Sequence, residues 1–82
     1  MPVRITVIKG ECQGGFHQKG DEFIVDWKTP GGMCLGAWDP VSSYVTALLC
    51  GATKLPDGND PDAIEIHCSD PKGITMQVRR IP

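Results

Sequence analysis

The sequence predicts an α+β domain, a small and mostly antiparallel four-stranded sheet packed against one main helix in the order ββαββ. Four segments alternate apolar and polar residues with period two. One segment carries a 3.6-period apolar stripe. Gly, Pro, Asn and Asp punctuate the connections between them. The chain has 82 residues, so residues 1–82 form a single domain near the lower end of the usual size range. A domain of this length buries about 60–65% of the surface its unfolded chain exposes, which leaves a thin core. Dimerisation, a metal or a ligand would each offset that weakness.

Val3 to Lys9 places Val3, Ile5 and Val7 on one face and Arg4 and Thr6 on the other, and reads as the first strand. Residues 10–21 form a polar, glycine-rich loop containing Cys12 and His17. Glu22 to Trp27 is the second strand, with Phe23, Val25 and Trp27 on one face, and Thr29-Pro30-Gly31-Gly32 ends it. A short turn from Cys34 to Trp38 is expected to precede the helix. The helix start is placed at Asp39-Pro40, a favoured N-cap followed by a proline suited to the first helical position. Val41, Tyr44, Val45, Leu48 and Leu49 then make one apolar stripe, and Gly51 is the stop signal. Lys54 to Asp62 reads as a loop. Ala63 to Cys68 is the third strand, with Ile64, Ile66 and Cys68 on one face and Glu65 and His67 on the other. Ser69-Asp70-Pro71-Lys72-Gly73 is a hairpin turn of the longer kind. Ile74 to Ile81 is the fourth strand, with Ile74, Met76 and Val78 inward.

Eight basic and ten acidic residues give a net charge of −2, without the basic field that nucleic-acid binding needs. Arg79 and Arg80 are a pair and not a patch. No apolar run has the length of a membrane span. Met1-Pro2-Val3-Arg4 runs directly into a strand pattern, so a secretion signal is not expected and a cytoplasmic setting with reduced thiols is. Asp57-Gly58-Asn59-Asp60-Pro61-Asp62 lacks the glycine position and closing Glu of a calcium loop. Phosphate-binding, nucleophile-elbow and zinc-protease motifs are missing from the sequence.

The four cysteines are the distinctive chemistry. Cys12, Cys34, Cys50 and Cys68 lie 22, 16 and 18 residues apart, with no C-x-x-C knuckle. Cys50 lies nearly opposite the helix stripe and is expected to be a bystander. Cys68 continues an inward strand face, either as a small buried hydrophobe or as a thiol at the mouth of a site. Cys12 lies in a loop whose backbone N–H groups suit a thiolate or an anion. Cys34 precedes helical structure, where the dipole favours a thiolate. If the first and third strands run in the same direction, Cys12 and Cys68 emerge at one end of the sheet, and the 29–33 connection brings Cys34 there. With His17 they would make a Cys₃His set, a known zinc combination. Cys12 and His17 are also close enough in sequence to form a thiol–imidazole pair.

Gly10-Glu11-Cys12, Lys19-Gly20-Asp21-Glu22-Phe23, Pro30-Gly31-Gly32-Met33-Cys34 with Ala37, and Cys68-Ser69-Asp70-Pro71 occur in that order along nearly the whole chain. Together they resemble a family of small prokaryotic proteins, about 80–95 residues long and also found in some fungi. The resemblance implies shared positions at Cys12, Cys34 and Cys68 and none at Cys50. It implies no activity. The chain departs from that pattern in a Cys12–His17 spacing one residue longer, and in Lys54-Leu55-Pro56 where a Phe-Pro-Trp-like stretch is usual.

Three functional classes follow. The first is a small binding module whose Cys12/Cys34/Cys68 site, with His17, takes a small ligand, zinc or an iron–sulfur centre. The second is an accessory protein acting through self-association as a homo-oligomer, or through a protein partner. The third is a thiol-dependent enzyme or redox protein using Cys12 or Cys34.

Overall fold

A computed structural model of the chain describes residues 2–52, 60–70 and 72–81. Its elements are β1 (Val3–Gly10), β2 (Glu22–Val25), α1 (Leu35–Leu49), β3 (Ala63–His67) and β4 (Ile74–Arg80). The strands form one sheet in the order β2-β1-β4-β3, with every neighbouring pair antiparallel. The expected ββαββ α+β fold is the one observed. Residues 53–59, with most of the Lys54–Asp62 loop and Asp57-Gly58-Asn59 of the acidic turn, lie outside the described residues.

One face of the sheet carries the core. Val3, Ile5 and Val7 of β1 lie opposite Arg80, Val78 and Met76 of β4. Ile64 and Ile66 of β3 lie opposite Val78 and Met76 from the other side. Against them α1 lays Ala37, Val41, Val45 and Leu48, all buried. Burying each such aliphatic side chain contributes about 1.5–3 kcal/mol relative to leaving it in water, so this single layer contact is the main source of stability.

Several boundaries differ from the sequence reading. β2 ends at Val25, and Trp27, expected on the inward face with Phe23 and Val25, is 66% exposed. Its backbone is left-handed, with φ 68°, which takes it out of the strand alternation. β3 and β4 each stop one residue early, at His67 and Arg80.

The start of the helix matters most. The helix starts at Leu35, a turn ahead of Asp39-Pro40, with Cys34 as N-cap and Pro40 inside it. A proline at position 40 cannot donate to the carbonyl of Gly36, which an ordinary residue would do. That carbonyl instead accepts the N–H of Ser69 at 3.1 Å and its hydroxyl at 3.0 Å. The unused acceptor thus fastens the first turn of α1 to the turn after β3.

The far end of α1 is closed from β4. Arg80 stands on the inward face beside Val3 and donates from Nε to the carbonyl of Leu48 at 3.1 Å, and from its terminal nitrogen to that of Ala52. A cation at the carbonyl end of a helix is favoured by the dipole. Arg80 also pairs with Asp62, and Arg79 with Asp60. Both arginines of the C-terminal pair are therefore engaged within the fold. Among the described residues no helix is long and apolar enough to cross a membrane.

Candidate functional site

β1 and β3 both run antiparallel to β4, so they point the same way. Cys12, after β1, and Cys68, after β3, therefore emerge at the same end of the sheet. The N-terminus of α1 brings Cys34 to that end. All three cysteines line one pocket of about 630 Å³, inside the range typical of small-molecule sites. Its lining is otherwise mostly apolar. Ala37 and Ile74, both buried, form the floor, Met33 lines a wall, and Phe16 and Leu35 stand 69% and 77% exposed around it. Gln13, Ser69 and Asp70 supply the polar side chains. Cys50 is exposed at the C-cap of α1 and does not line the pocket.

The pocket is framed by three segments, residues 12–17, the start of α1 and the turn at 68–73, and each is hydrogen-bonded to the other two. Gln13 Nε2 donates to the carbonyl of Lys72 at 2.8 Å. The backbone N–H of Cys34 donates to His17 Nε2 at 3.1 Å. Ser69 donates twice to Gly36, whose missing side chain allows the approach, since a Cβ there would lie 3.1 Å from Ser69 Oγ. Three contacts closing a triangle hold the walls in place before any ligand arrives. The base of the first loop is fixed as well: Val7 N–H donates to Asp21 at 2.9 Å and Gly20 N–H to Val7 at 2.8 Å.

Each thiol has its own setting. The Cys12 thiol is held below its ordinary pKa. Burial pushes it up, but the backbone N–H groups of Phe16, His17, Gly14 and Gly15 favour the thiolate and together outweigh burial. Gly15, at φ 72°, lets the loop curl so that successive N–H groups converge. Gly14 makes room for the Phe16 ring, which a Cβ there would meet at 2.5 Å. The thiol of Cys68 donates its proton to the carbonyl of Asp70 at 3.4 Å. Cys34 caps α1 with its carbonyl, which accepts from Ala37 and Trp38.

His17 does not line the pocket; it lies behind the wall, 5% exposed, with its ring edge-on to Phe23 at 5.3 Å. With Nε2 accepting from Cys34, it serves as a strut. The ring of His17 accepts the backbone N–H of Cys34 while its own backbone belongs to the Cys12 loop, so one residue links two of the three cysteine-bearing segments. Among the described residues no three His, Cys, Asp or Glu side chains are grouped to hold a metal ion. His67 is exposed, with Nδ1 2.8 Å from the carbonyl of Cys68.

The sequence reading did not anticipate Gln13, Ser69, Phe16 or Leu35. Pro40 was the one available signal, since a proline inside a helix leaves a carbonyl looking for a donor, here supplied by Ser69. No protein-family model, curated protein or solved structure matches this chain.

Proposed function

We propose that this chain is a small cytoplasmic binding module whose Cys12/Cys34/Cys68 pocket takes a small, largely apolar ligand. The observation carrying this reading is the triangle of hydrogen bonds that fixes three separate segments around an apolar cavity. A thin-core domain keeps such a cavity only at a cost in packing, and a ligand bound to the folded state alone returns stability by mass action. The same three positions carry the resemblance to the small prokaryotic family, whose membership we propose on that basis. Zinc or an iron–sulfur centre is the weaker version of the reading, because His17 Nε2 already accepts from Cys34.

Titration with 3-octanone, followed by amide NMR, tests the pocket. Saturable shifts confined to residues 12–16, 33–37 and 68–74 are the expected result. Shifts scattered over the sheet, or none, would refute it. A parallel titration with zinc that instead moves the three cysteines stoichiometrically would favour the metal.

A second reading, self-association, rests on β2. This edge strand presents Ile24 at 55% exposure with Trp27 just beyond it, and an apolar edge is a template for pairing. Sedimentation would show a concentration-dependent dimer abolished by Ile24→Lys. A monomer across the micromolar range would exclude this reading.

A further inference from the structure

Three cysteines face one apolar cavity, and their chemistry there is unequal. Cys68 has its S–H directed to the Asp70 carbonyl. Cys34 belongs to the N-cap, anchored through its own N–H to His17. Cys12 lines the cavity from the tight curl of residues 12–15, closed by the Gly15 N–H on the Cys12 carbonyl at 3.0 Å and by Gly15 at φ 72°, and the neighbouring backbone N–H groups there favour its thiolate. A thiolate repels an anionic ligand and an apolar floor disfavours any charged one, whereas both suit a neutral molecule that reacts with soft nucleophiles. Phe16 and Leu35, exposed beside the opening, extend the apolar surface on which such a molecule would first land.

We propose that the pocket captures neutral, apolar electrophiles of the α,β-unsaturated carbonyl class, and that Cys12 is the group that bonds them. The proposal rests on the binding reading above and adds the class of ligand and the attachment point. The Cys12 sulfur attacks the β-carbon and a C–S bond forms. The alkene pair shifts to make an enolate, and the enolate carbon takes a proton from water. The proton lost earlier from the thiol restores that water. Thiol plus enone gives one thioether, with no leaving group and no change of overall oxidation state. Cys34 and Cys68 line the same cavity and are the internal competitors, while Cys50, exposed on the far end of α1, is the solvent-facing reference.

The test uses the native chain with 1-octen-3-one, alongside its saturated counterpart 3-octanone, and maps adducts by peptide mass spectrometry. Cys12 is expected to be modified first, about fivefold or more faster than Cys50 at neutral pH. That margin allows for the lower intrinsic nucleophilicity of a more acidic thiol. The rate at Cys12 should saturate with enone concentration and fall when excess 3-octanone competes, and Cys50→Ser should leave it unchanged. Equal labelling of Cys12 and Cys50, first labelling at Cys34 or Cys68, or a rate linear in enone overturns the proposal. In that event saturable NMR shifts with 3-octanone would leave the pocket reading standing, whereas their loss too would remove both.

Discussion

Ser69 gives both its backbone N–H and its hydroxyl to the carbonyl of Gly36, at 3.1 and 3.0 Å. The carbonyl is available because residue 40, which would normally donate to it, is proline. A helix-breaking residue thereby becomes the means of docking a helix to a turn. The contact sits between two of the three cysteine-bearing segments, so the pocket and the helix N-terminus depend on one another.

Ser69→Ala removes one of the two donors and is expected to lower stability by about 1 kcal/mol. In a Pro40→Ala background the helix regains its own N–H for Gly36, and the same substitution should cost less by about 0.5 kcal/mol. Urea denaturation of the four proteins in this cycle measures the coupling. Strictly additive losses would mean that Pro40 has no part in freeing the carbonyl.

His17→Ala orphans the N–H of Cys34 and empties the space beside Phe23, with an expected loss of about 2–3 kcal/mol. His17→Gln puts an acceptor near the Nε2 position without restoring the ring contact, and should recover about 1 kcal/mol of that loss. Melting temperatures of the three proteins check the order. The alanine variant keeps the backbone N–H of residue 17 but loses the ring that anchors the Cys12 loop to Cys34, so a loosened loop should slow Cys12 alkylation as well.

The alternation of β1 and β4 was legible because every inward residue from Val3 to Val7 and from Ile74 to Val78 is a core residue, so period two and burial coincide. The convergence of Cys12, Cys34 and Cys68 was legible only as a condition on strand direction, which pairing with β4 satisfies. Trp27 was misplaced because nothing local announces a left-handed tryptophan. The start of α1 was misplaced because Asp39-Pro40 mimics an N-terminus, and its compensation lies 29 residues away at Ser69. His17, read from the sequence as a candidate ligand, does not line the pocket. Its ring braces the wall from behind by accepting the Cys34 N–H, a contact between residues 17 apart that no local pattern announces.

Asp60 is held below the ordinary carboxylate range, first by the backbone N–H of Asp62, against a smaller effect of burial, and then by Arg79. A carboxyl whose folded pKa is depressed stabilises the fold above its unfolded value, about 3.9, and that stabilisation is lost as pH falls through the folded value. Asp60→Asn should therefore flatten the acid limb of stability against pH. The site is open to solvent, so high salt should shrink the difference between the two proteins. Urea midpoints between pH 5 and 2 report it, and an unchanged acid limb would count against the contact.

Cys12 gives the opposite end of the pH range. Its thiol ionises more readily in the folded chain than in the unfolded one, where a free cysteine titrates near about 8.5. Between the folded value and about 8.5 the unfolded state binds more protons, so stability rises with pH across that window, is fully present above it and vanishes below it. The wild-type chain should accordingly gain stability over Cys12→Ser as pH is raised, with the two curves running parallel at low pH. Iodoacetamide labelling of Cys12 should show its midpoint inside the same window. A midpoint at or above about 8.5, or a constant stability difference, would mean that the N–H groups of residues 14–17 do not reach the sulfur in solution.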